Sequence, residues 1–177
     1  MTSTRTSALI VVVLLAGAAN ARPAAAQNAA KWDVFAGYAF DRDVVDDVDL
    51  RAGWAASVGR GINGWLSVMA DVSGARTRIA ATGTDVTLAS LTATAGARVA
   101  VRVGPFVEFG ELLGGMTRTR GTAFGATSTA TRPVVQAGGG VDYPFGRCLA
   151  ARAQMDVRVT SLGRDYRVTA GLVVLTR

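Results

Sequence analysis

The chain has 177 residues, half of them apolar but only 7% aromatic, with 21 glycines and a net charge of +6. It contains no histidine, which removes histidine-based acid–base chemistry and the commonest metal ligand. Its one cysteine, Cys148, can close neither an intrachain disulfide nor a zinc cage.

Residues 1–26 read as a secretory signal peptide: Arg5 makes the basic start, Ala8 to Ala19 the apolar run, and Ala24-Ala25-Ala26 before Gln27 the cleavage site. Ala19-Asn20-Ala21 is a second candidate site. The run is too short to cross a ~30 Å hydrocarbon core as a helix, which takes roughly 20 residues. No cysteine follows it closely, which argues against lipoprotein processing. Loss of Arg5 and Arg22 leaves 17 basic against 13 acidic residues, a charge of +4 that is too dispersed to suggest nucleic acid. Residues 27–177 form the expected domain, placed beyond the inner membrane.

From residue 32 onward the pattern is alternation, without sustained helical spacing. Strands are predicted near 32–40, 49–59, 65–74, 89–101, 105–117, 132–143, 148–159 and 166–176. In the seventh, Leu149, Ala151, Ala153, Met155, Val157 and Val159 share one face, while Ala150, Arg152, Gln154, Asp156 and Arg158 share the other. The second, third, fourth and eighth repeat this pattern. Tight turns are expected at 59–64, 102–105 and 143–147, with longer polar links at 41–48, 75–88, 118–131 and 161–165. Short turns alternating with longer links are the mark of an antiparallel up-and-down meander in an outer membrane, with both termini in the periplasm. An even strand count allows closure, which satisfies every backbone group that lipid cannot. The expected fold is all-β, an eight-stranded antiparallel up-and-down transmembrane β-barrel.

Alternation does not by itself say which face is outside. Three features favour the membrane. The polar face mixes small residues with opposite charges, as a narrow filled lumen requires. Aromatic residues gather at strand ends, with Trp32, Trp65, Phe106, Tyr143 and Phe145 on the turn side and Tyr38, Phe40 and Tyr166 on the loop side. The apolar face is rich in Ala and Val and lacks the bulk that fills a soluble ligand barrel. The alternative is a soluble periplasmic β-barrel binding a small apolar ligand, which predicts an apolar cavity.

The segments VFAGYAF (34–40), PFVEFGELLGG (105–115), GGGVDY (138–143) and RVTAGLVV (167–174) resemble small outer-membrane β-barrel proteins of the OmpA/OmpX-like class. The resemblance implies an eight-stranded barrel in the bacterial cell outer membrane, inserted by the outer-membrane assembly machinery, with outer-membrane lipid and lipopolysaccharide as its surroundings. Such chains usually end on an aromatic residue, whereas this one ends Leu175-Thr176-Arg177. No C-terminal peptidoglycan-binding domain is expected after the last strand.

Catalytic readings fail on inventory. Gly59-Arg60-Gly61-Ile62-Asn63-Gly64 matches a dinucleotide fingerprint, but the following segment has strand rather than helix period, so a hairpin turn is expected. Glu108 and Glu111 have opposite parity and share no site; Glu111 is assigned to the lumen and Glu108 to the periplasmic interface. No enzyme activity and no cofactor or metal site is expected. The carboxylates of Asp41, Asp43, Asp46, Asp47 and Asp49 lack calcium-loop spacing and read as a solvated acidic loop. Cys148 reads as a small packing residue.

The parity predicts a lumen charge network of Arg51, Asp71, Arg98, Glu111, Asp142, Arg152, Asp156, Arg158 and Arg167. A lumen so filled is not a general porin, and the expected role is structural or surface-interactive. Arg76, Arg78, Arg118, Arg120 and Arg132 lie toward the outer rim, where guanidinium forks suit lipopolysaccharide phosphates. Ordinary loop solubility accounts for the same charges, and both readings stay open here.

Overall fold

A segment that alternates with period two keeps one apolar and one polar face over its whole length, and its free edges seek partners until none remain. In the computed structural model, eight strands do this: β1 (Trp32–Asp43), β2 (Asp49–Gly61), β3 (Leu66–Ala81), β4 (Thr84–Val103), β5 (Phe106–Ala123), β6 (Ala126–Pro144), β7 (Leu149–Thr160) and β8 (Arg164–Thr176). Each pairs antiparallel with the next and β8 pairs with β1, closing a barrel in chain order. The structure describes residues 31–43, 49–81, 84–123 and 126–176, without the side chains of 43, 49–52, 78–81, 84–86 and 123. The expected signal peptide lies outside the described residues.

The strands are tilted, as closure demands. Following partners around from Val34 leads to Val58, Ala70, Ala95, Gly114, Val135, Val159 and Arg164. Arg164 adjoins Asp165, which pairs with Asp43, so the circuit ends at the far end of β1 and not at Val34.

At one end of the barrel lie the three connections expected as tight turns. Gly104 and Pro105 alone join β4 to β5, and Gly104 adopts φ 61°, a conformation that glycine enters without a Cβ clash. Between β2 and β3, the Asn63 carboxamide oxygen accepts from the N–H groups of Trp65 (3.0 Å) and Leu66 (2.8 Å). The glycine-rich 59–64 segment is therefore a hairpin turn leading into a strand, with no helix N-terminus to hold a pyrophosphate.

At the other end the structure corrects two expectations. The segments 75–88 and 118–131, read as long polar links, are largely strand: β3 and β4 pair up to Ala81↔Thr84, and β5 and β6 up to Ala123↔Ala126. Their threonines are good strand formers and pair across the ladder. The hydroxyls of Thr122 and Thr127 lie 3.2 Å apart, as those of Thr92 and Thr117 do at 2.9 Å lower on the wall. β2 follows β3 only as far as Arg76 and β7 meets β6 only from Val134, so the wall stands taller on the β3–β6 side.

The faces sort cleanly. Val34, Trp54, Val68, Leu91, Leu112, Val135, Met155 and Leu172 are among many large apolar side chains exposed on the outer wall. The buried interior instead holds Asp71, Arg98, Glu111, Arg152, Asp156 and Arg167. Water would not tolerate so much exposed apolar surface around a whole barrel, whereas lipid requires it. A soluble barrel binding an apolar ligand needs the reverse arrangement, and the charged interior overturns that alternative. A small apolar cluster of Phe35, Ala39, Ala55, Ala150 and Val173 lies in the lumen beside β1, β2, β7 and β8.

Candidate functional site: a charged lumen and a basic outer wall

Inward parity on β4, β5, β6, β7 and β8 brings Arg98, Glu111, Asp142, Arg152, Asp156, Arg158 and Arg167 into one narrow space, with Asp71 reaching it from β3. Toward the turn end, Arg98 donates to Glu111 through Nη2 (2.8 Å) and Nε (3.1 Å). Arg152 grips Asp142 with two parallel bonds of 2.6 and 2.7 Å, a bidentate fork that fixes both side chains. Asp33 lies 3.4 Å from Arg98 and 3.6 Å from Arg152 and draws the two cations together. Both guanidiniums also lie over the Phe109 ring, with their carbons 4.2 and 4.7 Å from its centroid. Stacking on the ring face offsets some of the repulsion between the two arginines.

Midway along the barrel, the Gln154 amide donates to Glu111 (2.7 Å) and to Asp156 (2.9 Å), tying two carboxylates to one nitrogen. Arg167 is fully buried and bridges Asp71 (2.8 Å) and Asp156 (2.8 Å). Toward the loop end, Arg158 meets Asp165 (2.6 Å) and Asp41 (2.9 Å). The pairs thus form a ladder running the length of the lumen. Inward glycines make room for it: a Cβ on Gly138 would collide with the Asp156 carboxylate, and one on Gly140 would lie 2.7 Å from the Phe109 ring.

Several members of this ladder escaped the sequence reading. Asp33, Asp41, Asp165, Gln136 and Phe109 all belong to it, as does Gln154, which alternation put on the polar face of β7 but not in the charge network. Asp33 and Asp41 share inward parity with Phe35 and Ala39, so alternation in the first strand was the signal available. Asp41, read as part of a solvated acidic loop, is buried against Arg158 because β1 continues beyond Phe40. Asp46 and Asp47 lie outside the described residues, as do the side chains of Asp43, Asp49 and Arg51. Glu111 is buried, whereas Glu108 has the opposite parity and is half-buried near the turn end. Cys148 is exposed at that end, contrary to its reading as a packing residue.

The rim arginines divide. Arg76, Arg118 and Arg120 are exposed and lie on strands instead of loops, because β3 and β5 extend past the apolar band. Their parity is that of the outer wall: Arg118 pairs with Leu91, and Arg76 and Arg120 flank Ala89 on β4. Two strand spacings, about 9.5 Å, separate the backbones of Arg76 and Arg120. Trp54 and Tyr38 sit just below them on the same face. Arg132 differs: its parity is that of buried Val134 and Gln136, so it points inward and is half-buried, which removes it from the outer rim. The Arg78 side chain lies outside those described.

Comparison with known proteins agrees with this geometry. A family model described as an outer membrane protein β-barrel domain matches residues 11–172. Among solved structures, the chain is similar to Ail, the attachment invasion locus protein of Yersinia pestis, at 14% identity and a TM-score of 0.64, covering 84% of this chain and 99% of that one. Neisserial surface protein A shares 18% identity with a TM-score of 0.65 over the same shares of both chains. The N-terminal β-barrel domain of Pseudomonas aeruginosa OprF shares 11% identity with a TM-score of 0.55, again covering 84% and 99%. No curated protein matches the sequence.

Proposed function

The chain belongs to the outer membrane protein β-barrel family, and we propose that within the bacterial outer membrane it acts as a non-enzymatic structural or surface-interaction protein whose lumen is closed by charge. The ladder from Arg98 to Arg158 carries this reading, since paired side chains occupy the path that a porin leaves to water. Reconstituted into planar bilayers, the protein is expected to pass far less than a nanosiemens; a steady nanosiemens conductance would overturn the closed lumen. Residues 1–26 are proposed as a removed leader, and intact-mass measurement of the membrane form should place its first residue at Gln27.

Lipopolysaccharide is the proposed partner of the loop-side wall. Arg76, Arg118 and Arg120 stand on the outer face directly beyond Trp54 and Tyr38, the level at which an aromatic girdle meets headgroups. Forked guanidiniums there suit phosphate groups, and their fixed strand positions lower the entropy lost on binding. Replacing Arg118 and Arg120 together by Ala is expected to reduce co-purified lipopolysaccharide several-fold at equal barrel yield. Unchanged lipid content would contradict the assignment. Insertion is proposed to depend on the outer-membrane assembly machinery despite the non-aromatic C-terminus.

A further inference from the structure

The turn end of the barrel carries a second basic surface. Its exposed charged side chains among the described residues are Lys31, Arg60, Arg102 and Arg147. Acidic groups near that end are withdrawn: Asp33 and Asp142 are turned inward onto Arg98 and Arg152, and Glu108 is half-buried. None of the four cations joins an ion pair among the described residues.

The same end is apolar where a water-facing turn would not be. Ile62, Trp65 and Phe145 lie in the connections, outside the strands, and are 60%, 59% and 54% exposed. Arg60 projects from the outer wall beside them, paired with Trp32 and Val68, and its guanidinium carbon is 5.4 Å from the Trp32 ring centroid. Stacking orients the guanidinium and leaves N–H groups free to donate. Lys31 is held at the same corner, its N–H bonded to the Thr176 carbonyl (2.8 Å) and its carbonyl accepting from Gly61 (3.3 Å). Apolar turn residues interleaved with cations match a headgroup layer, where the rings enter the acyl boundary and the cations meet phosphate.

We propose that the turn end is a binding surface for the phosphate groups of anionic glycerophospholipids in the leaflet on that side. Arg60 stacked on Trp32 is its centre, Lys31 adjoins it, and Arg147 extends it in the β6–β7 connection; Arg102 shares the inward parity of Arg98 and stands at the mouth of the lumen. This surface is separate from the loop-side arginines: it lies at the opposite end of the barrel and meets a different leaflet.

Tryptophan quenching by brominated lipid tests the proposal. A Trp54→Phe background leaves Trp32 and Trp65 as the only tryptophans, both at the turn end. In phosphatidylcholine vesicles, brominated phosphatidylglycerol should quench them more strongly than brominated phosphatidylcholine at equal mole fraction. Arg60→Gln should lower the ratio of the two association constants about five-fold at low salt. Adding Lys31→Gln and Arg147→Gln should bring the ratio near one. Arg118→Gln with Arg120→Gln should leave it unchanged, and heat-dependent gel mobility confirms folding of each variant. Equal quenching by both lipids in the background protein, or a preference that survives all three substitutions, would overturn the proposal.

Discussion

Replacing Arg167 by Met is expected to cost the barrel about 3–5 kcal/mol, one of the two largest single-residue effects in this molecule. Arg167 is wholly inaccessible and holds Asp71 and Asp156 at 2.8 Å each. Its removal leaves two carboxylates facing each other in a space that water does not freely reach. The loss therefore reflects stranded anions more than a lost attraction, because a buried pair replaced as a whole by apolar groups is often neutral. That distinction gives the check. Adding Asp71→Asn and Asp156→Asn to Arg167→Met should recover most of the loss. Urea unfolding in lipid vesicles, followed by gel mobility, measures both. A single variant as stable as the parent would show that the ladder does not hold the lumen.

The second large effect lies on the opposite face. Ala95 pairs with Ala70 and Gly114 in the apolar band of the outer wall, away from both aromatic girdles. Ala95→Arg places a charge in hydrocarbon and should cost about 2–4 kcal/mol. The neighbouring Thr94 faces the interior, where Thr94→Ser should change stability by well under this amount. The two substitutions differ by one residue along the chain and by a whole face in space. Equal tolerance of both in vesicle unfolding would mean that the exposed face does not meet lipid.

Parity was the most legible feature of the sequence. β7 alternates without interruption over Leu149 to Val159, and its inward set of Ala150, Arg152, Gln154, Asp156 and Arg158 could be read directly. Glu108 and Glu111 could be told apart for the same reason. The strand ends were harder, because polarity and strand propensity disagree in the upper hairpins. Thr119, Thr122, Thr127 and Thr129 look like loop by hydropathy, yet β-branching suits them to a ladder above the membrane. With those segments as strand, Arg76, Arg118 and Arg120 lie on strands instead of loops, where parity fixes them on the outer wall, and Arg132 shares the inward parity of Val134 and Gln136. Pairing across the lumen was not legible at all. Arg98 meets Glu111 on the adjacent strand, but Arg167 reaches Asp71 on β3, and only closure and tilt bring those two together.

The register of β1 with β2 is also beyond the alternation pattern. It shifts between Ala39 and Asp41, so the loop-side half of β2 is out of step with its turn-side half. A bulge of this kind moves every later residue relative to its partner. Parity carried across it from the turn-side half of β2 is the weakest part of a reading made from alternation, and Arg51 falls there.

The most direct test of the account is the gel mobility of the mature protein from the outer-membrane fraction, unboiled against boiled. A closed barrel with an apolar outer wall and an internally paired lumen resists detergent until heated, so the unboiled protein should migrate as a distinct band that boiling converts. Recovery in the soluble periplasmic extract, with one mobility before and after heating, would contradict the membrane barrel and every face assignment that depends on it.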